Sequence, residues 1–421
     1  MKNLSIYIEK NGVEIPVGTI SGADTASSCF RYDKEYIKHG NPISVHLPLK
    51  EDEFSPENTS CFFEGLLPEG FSRKSVAAWM HVDENDYLTI LSGLGKECLG
   101  AIRIEKSEDQ TIVTPSYEKL NLEEVKKLAA EGATKSTELL VKSHLSLTGA
   151  SGKVGLYFYN GEWYQPIGTA PSTHIVKQSH VRLRHIVENE QLALRTAAKM
   201  GIPTIRSFVV NAGEFEDSDI LLASERYDRD LMHSKRMLNG LACPLRLHQE
   251  DFAQALGIRS SEKYEQKGGR YLSRIFQLVR AVSADPIHDQ LQLLDILIFD
   301  KLIGNTDNHI KNLSLLYNAD LSSVRLAPAY DLVSTLVYKE STADMSIAID
   351  GELRWDRIDK DTFIRAHEEM GLSKRIVTSE YERLEKVFTN ALQEAAMELK
   401  DEGFLNSEEI AKKILAIGRK L

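Results

Sequence analysis

Cysteine is scarce in this chain: four in 421 residues, Cys29, Cys61, Cys98 and Cys243, with no CxxC pair. That usage argues against a disulfide framework or a thiolate zinc site and predicts reduced, mostly buried thiols. Long apolar runs are also missing. The most apolar stretch, residues 291–303, is broken by Asp295 and Asp300, and no run of about 18 uncharged apolar residues marks a membrane span. The first residues, Met-Lys-Asn-Leu-Ser-Ile-Tyr-Ile-Glu, carry no apolar signal core, so the expected compartment is the cytoplasm, with no membrane partner. Positive charge is not in excess: 51 Lys and Arg against 62 Asp and Glu give a formal net charge of -11, an electrostatic misfit for DNA or an anionic membrane. There is no HExxH or EF-hand pattern, so an all-protein metal cage is not expected. Internal repeats and low-complexity tracts are absent too.

What is present is an ordinary globular composition, 42% apolar and 27% charged, in a chain long enough for two or three domains. Leu4, Ile6 and Ile8 alternate with polar neighbours and predict a strand. Residues 86–94 look helical, 100–105 strand-like, and the polar 107–115 segment reads as a linker. Residues 154–159 and 162–165 are strand-like and meet at Asn160-Gly161, the strongest short hairpin signal. A further strand, His174-Ile-Val-Lys-Gln178, precedes a helix carrying Ile186, Ala193, Ala197 and Met200, which Gly201-Ile-Pro203 stops. Two more strands fall around 208–211 and 220–225. Beyond Asp230 the signals turn helical. Leu291, Leu294, Leu297, Ile298 and Leu302 predict one apolar face ended by Gly304, and Val377, Tyr381, Leu384, Phe388, Ala391 and Ala395 step along a long amphipathic helix. Ser407 is expected to cap a last helix with Ile410, Ile414 and Ile417.

The run Gly304-Asn-Thr-Asp-Asn-His-Ile-Lys-Asn312, followed by Ala-Pro-Ala-Tyr-Asp331-Leu, carries the chemistry. Protein kinases use an Asp that receives the hydroxyl proton, an Asn five residues on, and a later Asp, the last two holding Mg²⁺ against nucleotide phosphates. Asp307, Asn312 and Asp331 keep that order and first interval, without His-Arg before the first acid or Phe-Gly after the last. The bland alternative is that these residues only form turns. His309 either donates to a transferring phosphate oxygen or braces the loop. Lys177 shares a strand face with Ile175, so its ammonium is expected inward, where an anion such as the α/β-phosphates of ATP would meet it; the alternative is a structural ion pair. Its acidic partner would come from the next helix, Glu190 in preference to Glu188. The loop Ser146-Leu-Thr-Gly-Ala-Ser-Gly-Lys153 has small residues that let amides approach phosphates, or else is a plain hairpin turn. It is not a Walker A motif, because two residues rather than four separate its glycines. Glu225, Arg226 and Tyr227 leave the last strand where a kinase hinge would meet adenine.

Taken together and in order, these segments resemble the HipA family of serine/threonine kinase toxins over nearly the whole chain. The matching pieces are Val17-Gly-Thr-Ile, Ser44-Val-His-Leu-Pro-Leu, Phe62-Phe-Glu-Gly-Leu-Leu-Pro-Glu-Gly, Leu94-Gly-Lys-Glu-Cys-Leu-Gly-Ala-Ile, the 146–153 loop, His248-Gln-Glu-Asp-Phe-Ala-Gln-Ala-Leu-Gly, Lys263-Tyr-Glu, Gly268-Gly269, and the Asp307 and Asp331 segments. The resemblance implies an α/β (α+β), bilobal protein-kinase-like fold with a mixed N-terminal part and a mainly helical C-terminal lobe. Its divisions would be 1–110 (N-terminal subdomain), 111–230 (small lobe with nucleotide loop) and 231–421 (helical lobe). It implies ATP and Mg²⁺ as cofactors. Asp307 would be the catalytic base, with Asn312 and Asp331 as Mg²⁺ ligands and Lys177 on the phosphates. Thr148, Gly149, Ala150, Ser151, Gly152 and Lys153 would form the nucleotide loop, and Glu225, Arg226 and Tyr227 the adenine hinge. Ser146 matches the serine on which such kinases autophosphorylate and silence themselves. Ser151 departs from the family's Gln, which leaves Thr148 and Ser151 as competing phosphoacceptors. The implied partners are a small helix-turn-helix antitoxin of HipB type, which would supply the DNA contact, and a protein substrate such as an aminoacyl-tRNA synthetase, whose modification arrests growth. Two rival readings are a small-molecule kinase and a catalytically idle corepressor acting with a DNA-binding antitoxin.

Overall fold

The computed structural model describes residues 2–106, 113–131, 153–179 and 183–418. The calls on Ser146, Thr148, Gly149, Ala150, Ser151 and Gly152, and on most of the 107–115 linker, lie outside the described residues.

Compactness divides the chain into two units that interleave in sequence. One holds Met1–Gln178, Ala223–Ser260 and Leu316–Val324; the other holds Ser179–Leu222, Ser261–Leu315 and Arg325–Leu421. The expected contiguous divisions at 110 and 230 therefore do not coincide with the compact units. Long-range side-chain ties explain why. In the first unit Glu97 is buried among Arg226, Arg229 and Arg246, at 3.2, 2.9 and 2.6 Å, which binds the 223–260 segment to the N-terminal part. In the second, Arg195 and Lys199 of the Ile186–Lys199 helix pair with Glu402 and Glu398 at 2.7 and 2.6 Å.

The first unit opens with an antiparallel sheet in the order β3-β2-β1-β4, from β1 (Lys2–Lys10), β2 (Val13–Gly22), β3 (Cys29–Tyr32) and β4 (Ile102–Lys106). Leu4, Ile6 and Ile8 of β1 are buried as their alternation predicts, packed with Val17, Ile20 and Phe30. Four further antiparallel strands, β5 (Ser116–Leu120), β6 (Lys153–Tyr159), β7 (Glu162–Ile167) and β8 (His174–Gln178), lie in the order β5-β7-β6-β8. Asn160 and Gly161 both take positive φ (51° and 82°), the backbone that a two-residue hairpin matching strand twist requires.

The second unit is mainly helical. Its centre is the Pro286–Ile303 helix, started by Asp285, whose side chain accepts from the His288 amide, and ended at Gly304 in the left-handed region (φ 73°). The sequence predicts one apolar face; instead the helix is buried nearly all round, Leu293, Ile296 and Phe299 included. Its polar residues go inside because they have partners there. Gln292 donates to the Ala327 carbonyl at 3.0 Å, and Asp295 meets Arg383 of the Lys374–Asp401 helix. That long helix buries Val377, Tyr381, Leu384, Phe388, Ala391 and Ala395 as its spacing requires. The last helix, Asn406–Gly418, corrects one expectation: Ser407 lies inside its first turn, and its hydroxyl donates to the carbonyls of Ala396 and Phe404 instead of accepting as a cap.

Candidate active site

The loop after Gly304 is assembled around a buried carboxyl. Asp300, fully buried in the last turn of the Pro286–Ile303 helix, accepts from the side-chain amides of Asn305 (2.9 Å) and Asn308 (2.5 Å). Burial pushes its pKa up to about 8, against the pull of the two amide hydrogen bonds. Thr306 is held on several sides. Its N–H donates to the Thr335 hydroxyl (2.8 Å), its hydroxyl meets the Thr342 carbonyl, and its own carbonyl accepts from Ser346 (2.7 Å). From Gly304 to Lys311 every residue is buried except Asp307, which is exposed. A buried, hydrogen-bonded loop thus presents one carboxylate to solvent.

Asn312 lies beside that acid. Its side-chain N–H donates to the Asp307 carbonyl at 3.2 Å, so its amide oxygen is the atom that could hold a metal. The segment bearing Asp331 is tied to the same loop through Tyr330, whose hydroxyl donates to the Lys311 carbonyl (3.0 Å) and meets Ser314 (2.6 Å). Asp331 itself has φ 55°, a left-handed conformation that Asp tolerates better than most residues and that is often found at functional positions. An amide oxygen and a carboxylate are hard oxygen donors that suit Mg²⁺ when phosphates complete the shell, so the residues present fit that ion. Among the described residues no group of three or more His, Cys, Asp and Glu forms an all-protein cage.

His309 is buried, with its ring edge-on to Tyr264 at 5.2 Å. Tyr264 was not singled out by sequence reasoning, yet its hydroxyl donates to Asp307 Oδ1 at 2.7 Å. Asp300, Asn305, Asn308 and Thr335 were likewise missed as loop supports. The signal for Asp300 was an acid inside an otherwise apolar helix.

In the first unit, Lys177 and Ile175 share the half-buried face of β8, opposite the fully buried His174 and Val176. Lys177 stands directly across from Lys153 of β6 in the antiparallel register. Arg226, in the expected hinge segment, has its side chain taken up by neighbouring acids. Its guanidinium is buried against Asp228 (2.9 Å), Glu97 and Ser172, and the Arg226 backbone N–H donates to the Thr173 carbonyl (2.8 Å). The sequence showed a strand exit there but not the acids converging from 97 and 228. Tyr227 donates its hydroxyl to Gln249 at 2.5 Å, and Glu225 closes the strand 220–225 half-buried. In the second unit, both candidate acids for Lys177 sit in the Ile186–Lys199 helix and are buried; Glu188 accepts from Asn406 at 2.8 Å, whereas Glu190 is the residue favoured from the sequence.

Comparison with known proteins places this geometry in a family. The profile of the HipA-like C-terminal domain matches residues 145–393, and that of the HipA N-terminal domain matches 11–105. Y4mE of Sinorhizobium fredii, named as a kinase, is 33% identical over 83% of this chain and 82% of its own. The serine/threonine-protein kinase toxin HipA of Shewanella oneidensis is 26% identical over 94% of this chain and 90% of its own. A chain from the solved S. oneidensis complex of HipA, HipB and operator DNA superposes with a TM-score of 0.80 at 24% identity, covering 98% of this chain and 96% of that one. The fold is α/β and kinase-like. The chain belongs to the HipA family.

Proposed function

We propose that this chain is an ATP- and Mg²⁺-dependent serine/threonine protein kinase, the toxin of a HipBA-type toxin–antitoxin pair. The observation that carries the reading is Asp307, the single exposed residue of a buried loop, with Asn312 hydrogen-bonded to it five positions on. In the proposed reaction Asp307 accepts the proton of a serine or threonine hydroxyl. The freed oxygen attacks the γ-phosphorus, and the bond to the β–γ bridging oxygen breaks as ADP leaves. Asn312 and Asp331 would hold Mg²⁺, which neutralises charge on the phosphate oxygens when bound. Lys153 and Lys177, opposite each other in the antiparallel register, concentrate positive charge that suits the nucleotide's phosphates. Residues 148–153 are proposed as the nucleotide loop, and backbone groups of Glu225, Arg226 and Tyr227 as the adenine hinge. Ser146 is the proposed autophosphorylation site.

The proposed partners follow from the family. A helix-turn-helix antitoxin of HipB type restrains the toxin and makes the DNA contact, in keeping with the HipB and operator DNA of the Shewanella complex. The proposed target is a translation factor such as an aminoacyl-tRNA synthetase, phosphorylated in the cytoplasm, an assignment that suits four free thiols. Phosphoproteomics of cells expressing wild type against Asp307→Asn tests the whole reading. It expects phosphosites on a translation protein, and growth arrest, that depend on Asp307. Equal phosphoproteomes with an Asp307-dependent phosphometabolite would instead establish a small-molecule kinase.

A further inference from the structure

A general base is recognised by lying within hydrogen-bond reach of the proton it takes. Asp307 already has such a proton in this chain, that of the Tyr264 hydroxyl, 2.7 Å from its Oδ1. Tyr264 does not reach the acid by chance rotation of a loose loop. Its neighbour Glu265 is anchored through its backbone N–H to the Ser346 carbonyl (3.0 Å) and through its carboxylate to the N–H groups of Tyr271 (3.0 Å) and Ala348 (2.8 Å). The Tyr264 ring rests edge-on against the buried His309 and carries the Lys263 ammonium 5.3 Å from its centroid. The tyrosine nevertheless keeps 42% of its surface exposed, so its oxygen is held at the base without being walled off. A buried structural tyrosine would be enclosed, and an ordinary surface tyrosine would not be anchored at the one exposed acid of the loop.

We propose that Tyr264 is an intramolecular phosphoacceptor of this site, giving the chain a tyrosine autophosphorylation activity. The proposal rests on the kinase reading above, with a nucleoside triphosphate as co-substrate. The Tyr264 O–H bond breaks with its proton passing to Asp307, the phenolic oxygen bonds to the γ-phosphorus, and the diphosphate leaves with the electron pair of the broken P–O bond. The proton on Asp307 then returns to solvent. The product places a phosphate of about -1.5 to -2 charge beside the Asp307 carboxylate. Repulsion between the two drives the side chain away and clears the acid for a hydroxyl from another protein.

The test is phosphopeptide mapping of the full chain incubated with Mg-ATP, with Asp307→Asn in parallel and ADP release measured for each. The expected result is phosphotyrosine at position 264 in wild type and none in Asp307→Asn. Its rate per molecule should not change over a tenfold range of protein concentration, as an intramolecular transfer requires. Tyr264→Phe, confirmed folded by an unchanged thermal midpoint, should remove the phosphotyrosine signal. Phosphate on serine or threonine with Tyr264 unmodified would overturn this inference and leave the kinase reading standing, with Tyr264 a hydrogen-bonding brace only. No ADP and no phosphate on any residue or added protein would overturn both.

Discussion

Lys153 and Lys177 face each other across two antiparallel strands, so two ammonium groups share one half-buried face of the sheet. Like charges directly opposite on a sheet are destabilising, by roughly 0.2–1 kcal/mol at ordinary pairs. On the proposed reading, a triphosphate bound there would relieve that repulsion. Saturating Mg-ATP should therefore raise the thermal midpoint of wild type, and Lys177→Met should lose most of that rise. Each charge-assisted contact is worth about 1.5–3 kcal/mol, so ATP affinity should fall by about tenfold to a hundredfold. The ligand-free Lys153→Met protein should be as stable as wild type or slightly more so. Equal ATP stabilisation of wild type and Lys177→Met, read by calorimetry, would put the nucleotide elsewhere.

Asp307 is exposed while its loop is buried, so its contributions to chemistry and to stability separate cleanly. Asp307→Asn should lower the turnover rate about 10²–10⁴-fold, the range of a general base. Its midpoint should stay within a degree or two of wild type, since substitutions of exposed side chains usually change stability little. A large midpoint loss with unimpaired transfer would reverse the assignment.

The first unit depends on a buried ion cluster. Glu97 lies among three arginines, and these guanidiniums overcome its burial to hold its pKa at about 2, below the usual 4.5. A depressed carboxyl stabilises the fold above its unfolded pKa and loses that contribution as pH falls through the folded one. The acid transition should therefore steepen between about pH 4.5 and 2. Glu97→Gln leaves buried guanidiniums undercompensated and should cost about 3–5 kcal/mol at neutral pH, measured by urea unfolding.

Local structure was legible in the sequence wherever one residue type decides it. Asn160-Gly161 specified its hairpin, Gly304 the end of its helix, and the 377–395 spacing a long amphipathic face. The Asp307 and Asn312 relation was legible because five residues of one loop bring them together. What escaped were pairings made at distance. Tyr264 reaches Asp307 across 43 positions, and Arg226 reaches Glu97 across 129, so neither contact leaves a local pattern. The spacing of Leu291, Leu294, Leu297, Ile298 and Leu302 predicts one apolar face on the Pro286–Ile303 helix, but Gln292, Asp295 and Asp300 lie inside as well. Only their partners, Ala327, Arg383 and the two loop asparagines, make them interior residues.

Asp300 gives the loop a dependence on pH of the opposite sign to Glu97. Burial raises its pKa from 3.8 to about 8, so the folded chain holds a proton there that the unfolded chain has released. A raised folded pKa gives stability that is full below about pH 4 and declines as pH climbs, gone once the folded group ionises near 8. Wild type should lose midpoint between pH 6 and 8 faster than Asp300→Asn, which stays neutral throughout. Asp300→Leu should be worse than either at every pH, because it strands the amides of Asn305 and Asn308, at about 1–3 kcal/mol for each buried donor left unpaired. Since those two asparagines flank Asp307, turnover should decline over the same alkaline range in wild type. Parallel midpoint curves for wild type and Asp300→Asn would mean that the carboxyl is already ionised at pH 6, with the two amides outweighing its burial.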